Sequence, residues 1–235
     1  MLKEAMQYLS ELSNKKVIEI NGRSFATGDL TSINEPIANS VVVQSLSGLV
    51  DYLKSNFDAP GQTLIHVVDP QTVRVLSKTN SDMNRQKWIE AKAFVPSFNF
   101  NNFYDSEAFN IKLQSTFVKN EDRDIVLKVV GNLREENVKT IGDDGVSQSV
   151  SAKVGIATVA DVRVPNPVLL APYRTFTEVE QPESNFVLRM RDGGQCALFE
   201  ADGGAWQLEA MSNIADFLQT ELQDLIDNDK IYIIS

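Results

Sequence analysis

The chain has 235 residues, 43% hydrophobic and 23% charged, the proportions of a folded globular protein rather than a disordered or collagenous one. That length can bury a core in one large domain or two small ones without disulfide staples. A net charge of −10 argues against a nucleic-acid binder, whose affinity comes largely from Lys and Arg on phosphates, and no 18-residue apolar run exists to span a bilayer, so a soluble chain is expected.

The first residues, MLKEAMQYLSELSNKK, mix acidic and polar side chains with apolar ones, unlike the unbroken apolar stretch of a signal peptide, and this predicts a cytoplasmic protein. The one cysteine, Cys196, cannot form an intramolecular disulfide, and its apolar setting, CALFEAD, predicts a buried, inert thiol. The acidic balance reads as a solubility feature; two rows of carboxylates on one face would instead signal DNA mimicry.

In chain order, Leu2, Ala5, Met6, Leu9 and Leu12 fall at helical spacing and predict an amphipathic helix over 2–13. A strand over Val17–Ile20 turns at Asn21-Gly22. Ser45 or Ser47 caps a helix over 44–57 whose buried stripe is Leu46, Leu49, Val50, Leu53 and Phe57, with Pro60-Gly61 ending it. The run TLIHVVDPQTVRVLSK predicts a hairpin turning at Asp69-Pro70-Gln71, with the lone His66 in a structural, hydrogen-bonded role. Residues 85–95 fit a third strand, with Trp88, Glu90, Lys92 and Phe94 on one face and Ile89, Ala91 and Ala93 on the other, and fit a helix nearly as well. Phe98, Phe100, Phe103, Tyr104 and Phe109 then crowd a loop without Lys or Arg among its rings, which suits a plug for a core or interface better than a base-stacking platform.

Ser106 opens a helix through Phe109, Leu113 and Phe117, and 121–133 offers another through Ile125, Val126, Val129, Val130 and Leu133. Residues 140–145, TIGDDG, read as a tight turn; Asp143, Asp144 and Ser147 lack the closing glutamate of an EF-hand, so no metal is assigned. From Ser147 a period-2 alternation predicts antiparallel strands, interrupted by Pro165-Asn166-Pro167 and resumed at Val168–Leu170. Short strands over 186–190 and 197–199 join at Asp192-Gly193-Gly194, one helix runs over 206–226, and Ile231–Ile234 forms a final strand. The expected class is α+β: antiparallel sheets with hairpins, N-terminal and central helices, and a long C-terminal helix followed by a short strand. A mixed α+β region, 1–138, would precede a β-rich region, 139–235; no linker marks the boundary, so one continuous domain fits equally.

The densest stretch, Val162 to Trp206, carries the candidate site. Arg174, Arg189 and Arg191 could hold a phosphorylated small molecule while Phe176 or Trp206 stacks a base; in the plainer reading these arginines pair with Glu178, Glu180 and Glu183 across a sheet. Glu178, Glu180, Glu200 and Asp202 could supply acid–base or divalent-metal chemistry if they converged, although Asp202 equally serves as a helix start before Trp206. No nucleophile and base, metal-ligand spacing or phosphate loop is recognisable, so no catalytic residue, metal or cofactor is assigned.

The stretches PNPVLLAPYRTFTEVEQPESNFVLRM and LFEADGGAWQLEA, with SLSGLVDYLKSNFD earlier, resemble an uncharacterised family encoded by tailed bacteriophages and prophages. The resemblance spans nearly the whole chain and implies the cytoplasm of an infected or lysogenic bacterium; it brings no catalytic residues to transfer. The expectation is a non-catalytic accessory protein acting by binding or self-assembly, a homo-oligomer with a host or phage protein as further partner, since proline- and aromatic-rich loops suit such interfaces. The alternatives are a host-defence inhibitor or sponge for a nucleotide-type molecule, and a metal- or carboxylate-dependent hydrolase.

Overall fold

In the hairpin of residues 63–77, Ile65 and Val67, then Val73 and Val75, recur at every second position, and the two strands become the centre of a five-stranded sheet. The computed structural model describes residues 4, 5, 8, 16–26, 37–81, 83–134, 138–143, 148–154, 158–163, 165–191 and 193–235. In it, β4 (Thr63–Asp69) pairs antiparallel with β5 (Thr72–Ser77), and β5 with β6 (Lys87–Lys92). Ile65, Val67, Val73, Val75, Ile89 and Ala91 fill one face. Both edges are parallel additions: β3 (Val41–Val43) beside β6, and β14 (Ile231–Ile234) beside β4. The chain class is α+β, as expected, but parallel edge strands come from distant segments and leave no mark on local periodicity.

Two helices cover that face. The helix α1 (Leu46–Ser55) starts at Ser45, whose hydroxyl accepts from the Gly48 amide at 3.0 Å, and stops at Asn56, whose φ of 51° is left-handed. The expected stripe therefore loses Phe57, which lies beyond the cap and is 85% exposed. Leu46, Leu49, Val50 and Leu53 meet Ile214, Ala215 and Leu218 of α4 (Trp206–Glu221) over the sheet, forming the first core. The single long C-terminal helix is in fact two: the chain breaks at Leu222 and resumes as α5 (Gln223–Asp227). Leu222 is itself buried in the core, so packing holds a non-helical residue there.

A second core is built on the sheet β11-β12-β13-β7, of Val168–Leu170, Ser184–Arg191, Gln195–Glu200 and Tyr104–Asp105. Phe186, Leu188, Met190, Cys196 and Leu198 face α2 (Ser106–Thr116) and α3 (Glu121–Arg134). Asp105, not Ser106, caps α2, its carboxylate accepting from the Ala108 amide at 2.8 Å. Cys196 is fully buried, and burial pushes its thiol up to about 12, consistent with an inert side chain. The aromatic loop plugs this core: Phe98 packs edge-on to Phe117 at 5.0 Å and Phe100 stacks on Phe186 at 5.2 Å. Each core draws on residues from both sides of position 138.

A two-stranded hairpin, β1 (Val17–Ile20) and β2 (Arg23–Ala26), turns on Asn21 and Gly22, both at positive φ, as Asn-Gly hairpins do. A three-stranded antiparallel sheet comprises β8 (Val138–Asp143), β9 (Gln148–Val154) and β10 (Thr158–Arg163). Residues 140–143, expected in a turn, extend β8 instead. Most of the expected first helix, and Asp144 and Ser147 of the cation reading, fall outside the described residues; Glu4, Ala5 and Tyr8 are helical.

On the sheet face away from the helices, Glu90 is 3% exposed although β6 turns it outward. Lys87, Arg74 and Lys92 close over it at 2.8, 2.7 and 3.1 Å. The Lys87 hydrogen bond, with those from Arg74 and Lys92, outweighs burial and holds the carboxyl at about 2, against an ordinary 4.5. Trp88, expected beside Glu90, sits at a register irregularity and packs against the first core.

Truncating Ile214 to Ala should cost about 2–5 kcal/mol in denaturant unfolding, whereas Phe57→Ser should stay within about 0.5 kcal/mol. Because the Glu90 carboxyl is depressed when folded, its contribution is complete above pH 4.5 and disappears as pH falls toward 2. Glu90→Gln should accordingly flatten the stability profile in that window, as read by urea midpoints at a series of pH values.

Candidate ligand pocket between the two cores

The segment from Ala171 to Ser184 leaves the second core after β11, reaches the first core at Phe176 and returns to the second at β12. Arg174 lies over the Phe186 ring of the second core, and Phe176 is sealed in the first. Gln181 fixes this crossing: its Oε1 accepts from the Arg174 and Thr175 amides at 3.0 and 3.3 Å, and its Nε2 donates to the Phe176 and Val179 carbonyls. The β4–β5 turn latches onto the same segment. Thr175 Oγ1 donates to the Pro70 carbonyl, and Gln71 Nε2 donates to that of Arg174 at 3.3 Å.

Arg174 is 6% exposed, and its planar guanidinium is held on several sides. The Trp206 indole covers one face at 3.9 Å from the ring centroid, Nη1 donates to Glu200 at 3.1 Å, and Nη2 donates to the Ser184 hydroxyl. Its Nε is buried without an acceptor among the described residues. Burial pulls the guanidinium down to about 10, with Glu200 and Asp202 pulling the other way, so it is charged at neutral pH. For Asp202, burial alone would raise the carboxyl. The Gly204 amide, the Ser184 hydroxyl, the Trp206 amide and the Arg174 charge overcome burial and hold it below the ordinary carboxylate range.

Beside this stack opens a pocket of about 250 Å³. Phe98, Phe100, Tyr173 and Trp206 supply rings, Pro96 and Pro172 rigid apolar walls, and Gln71, Ser97 and Glu200 a polar rim. The wall from Val95 to Phe100 is pinned. Lys112 Nζ donates to the Ser97 carbonyl at 2.9 Å, the Asn99 amide donates to Tyr104 Oη at 2.8 Å, and the Asn101 amide donates to the Leu198 carbonyl at 2.9 Å. Concave, ring-lined clefts with a few polar groups at the edge are the common form of a ligand site.

Of the nine candidate residues, only Arg174, Glu200, Asp202 and Trp206 come together. Arg189 and Arg191 lie on the opposite face of β12 from Phe186, where Arg191 caps the Phe103 ring at 3.6 Å, so the three arginines cannot share one anion. For Arg174 the expected ion pair with Glu178, Glu180 or Glu183 is corrected, since it pairs with Glu200 instead. Glu178 Oε1 instead accepts from the Ser47 amide and hydroxyl at 2.9 and 3.0 Å, at the positive end of α1. Glu180 is exposed, its carbonyl accepting from Asn213, while Glu183 accepts from Asn120 at 3.1 Å. Asp202 stays close to its expected helix-start role: Oδ1 accepts from the Gly204 amide at 3.0 Å just ahead of α4, whose cap residue Ala205 has no side-chain bond.

Gln181 and Ser184 carry no sequence signal, and Gln71 shows only as a turn residue, because a lone polar residue in a strand or turn makes no pattern. Phe98 and Phe100 were visible as rings but not as walls of this pocket. Among the described residues no group of three or more His, Cys, Asp or Glu could hold a metal ion, and no helix is long and apolar enough to cross a membrane. No protein-family model, curated protein or solved structure matches the chain.

Replacing Arg174 by Met should cost on the order of 3 kcal/mol, because it strips the charge that compensates half-buried Asp202. Glu200→Gln should cost less, because the Gln amide oxygen can still accept from Nη1 and Asp202 keeps its charge beside the guanidinium. Denaturant unfolding followed by tryptophan fluorescence checks both.

Proposed function

We propose that the protein works by binding rather than by catalysis, seating a ring-bearing side chain, aromatic or proline, of a partner protein in the pocket beside Trp206. The observation that carries this reading is the pinned, ring-walled cavity of about 250 Å³ whose one buried cation is already neutralised by Glu200. Space of that size takes one ring system, and proline-rich segments dock on aromatic-lined grooves of this kind. The resemblance to a family of tailed-phage and prophage proteins supports placing the partner in an infected bacterium, as a host or phage protein.

A nucleotide sponge has less support. A phosphate entering here would meet Glu200 and a guanidinium whose Nη groups are engaged, with Arg189 and Arg191 out of reach. A hydrolase has less still: Glu200 is tied to Arg174, Asp202 is held ionised, and Glu178 and Glu180 lie elsewhere.

Titrating short proline- and aromatic-bearing peptides against the protein, with AMP and GMP in parallel, should shift Trp206 emission for the peptides alone, with dissociation constants of about 10 µM to 1 mM. Ser97→Trp, which fills the rim, should abolish the shift while leaving the unfolding midpoint unchanged. A response to AMP or GMP but not to peptides would overturn the proposal in favour of the sponge.

A further inference from the structure

The five-stranded sheet is covered by helices on one side only. Register places two rows on its other side: Ile234, His66, Arg74, Glu90 and Val42, and next to it Tyr232, Leu64, Leu76 and Lys87. Among the described residues no helix packs there. The three cations that cover Glu90 remain accessible, their side chains 40, 37 and 54% exposed for Arg74, Lys87 and Lys92. Three positive charges around one carboxylate make this face locally basic in a chain of net charge −10. Tyr232 and Ile234 add an apolar border, 50 and 47% exposed.

The opposite side of the same layer has the opposite sign. From Trp206 to Asp229 the sequence holds Glu209, Asp216, Glu221, Asp224, Asp227 and Asp229 and no Lys, Arg or His, and all six carboxylates lie on the exposed surface of α4, α5 and the turn after them, Glu221 being paired with Lys54 of α1 at 3.2 Å. The apolar side of α4 is spent on the first core, leaving this acidic ridge outward.

From this charge complementarity we infer that the basic sheet face of one copy seats the acidic α4–α5 ridge of a second copy. The two surfaces lie on opposite sides of one sheet, so the contact is heterologous and propagates head to tail as a ring or a filament; it cannot close as a two-fold dimer. Overall repulsion between acidic copies is long-ranged and is screened beyond about 10 Å at 0.1 M salt, whereas close ion pairs persist until salt approaches 1 M. The inference is independent of the pocket.

Analytical ultracentrifugation of the full chain tests it. At about 0.1 M NaCl wild type should contain species heavier than the 26.1 kDa monomer, which collapse to monomer at about 1 M. Asp216→Lys with Asp224→Lys should be monomeric at both, and so should Lys92→Glu, with near-ultraviolet circular dichroism confirming that each variant is folded. Mixing the two variants should restore a complex, because each keeps the face that the other has lost. Wild type that stays monomeric, an Asp216→Lys/Asp224→Lys variant that still associates, or a mixture that stays monomeric would overturn the inference. So would Lys92-dependent binding of a single-stranded oligonucleotide by a monomeric wild type, which would make a nucleic acid the occupant of this face.

Discussion

Everything in this fold hangs on one crossing segment. Between Ala171 and Ser184 the chain must feed Arg174 to one core and Phe176 to the other, two residues apart, while leaving few backbone polar groups unsatisfied in a buried passage. Gln181 meets much of that demand, one side-chain amide serving four backbone groups, while Ala171 and Tyr173 bond the backbone at Val118 and Thr116. Because Pro70 and Gln71 bond the same segment, the five-stranded sheet is tied to the second core through the residues that position the Arg174 guanidinium. The pocket inherits its walls from this arrangement: Gln71 comes from one side, Phe98 and Phe100 from the other, and Trp206 arrives with the helix that roofs the first core.

The charged groups that make the sequence look like a site are largely engaged in architecture. Glu178 caps a helix, Glu200 compensates a buried arginine, Asp202 orders the turn before α4, and Arg191 covers a phenylalanine. Each contact draws the group's potential inward and leaves less of it for a substrate. A cavity walled by rings and prolines, with its ion pair internally balanced, suits recognition by shape and apolar contact better than proton transfer or phosphate capture.

Much of the architecture was legible wherever the signal is local. The Ser45 cap, the Asn21-Gly22 turn, the hairpin around Pro70 and the period-2 strands all appear where side-chain alternation and turn chemistry put them. The misses share one cause: distant chain overrides local pattern. Periodicity carries the C-terminal helix smoothly through Leu222, where tertiary packing breaks it; nothing near Val41 or Ile231 announces a parallel partner on a far strand. For the candidate site, the sequence named Arg174, Glu200, Asp202 and Trp206, which the fold brings together, but it could not know that β12 sends Arg189 and Arg191 to the other face from the ring that Arg174 covers. Spacing along a strand decides which residues share a face, and only the register and the course of the connecting loop decide which face meets which neighbour.

The parallel pairing of β14 with β4 sets an order on biosynthesis. Thr63 pairs with Ile231, and the face that β4, β5 and β6 present is roofed partly by Ile214, Leu218 and Leu222. As the chain leaves the ribosome, the meander of β4 to β6 emerges long before its roof does, with Ile65, Val67, Val73 and Val75 facing solvent or α1 alone. Closure of such a distant contact is slow, and an exposed β-branched surface with unpaired edges attracts other chains meanwhile. The second core, whose α2, α3, β11, β12 and β13 all precede α4, can assemble first. It can then hold the crossing segment in place as a platform on which the first core is completed.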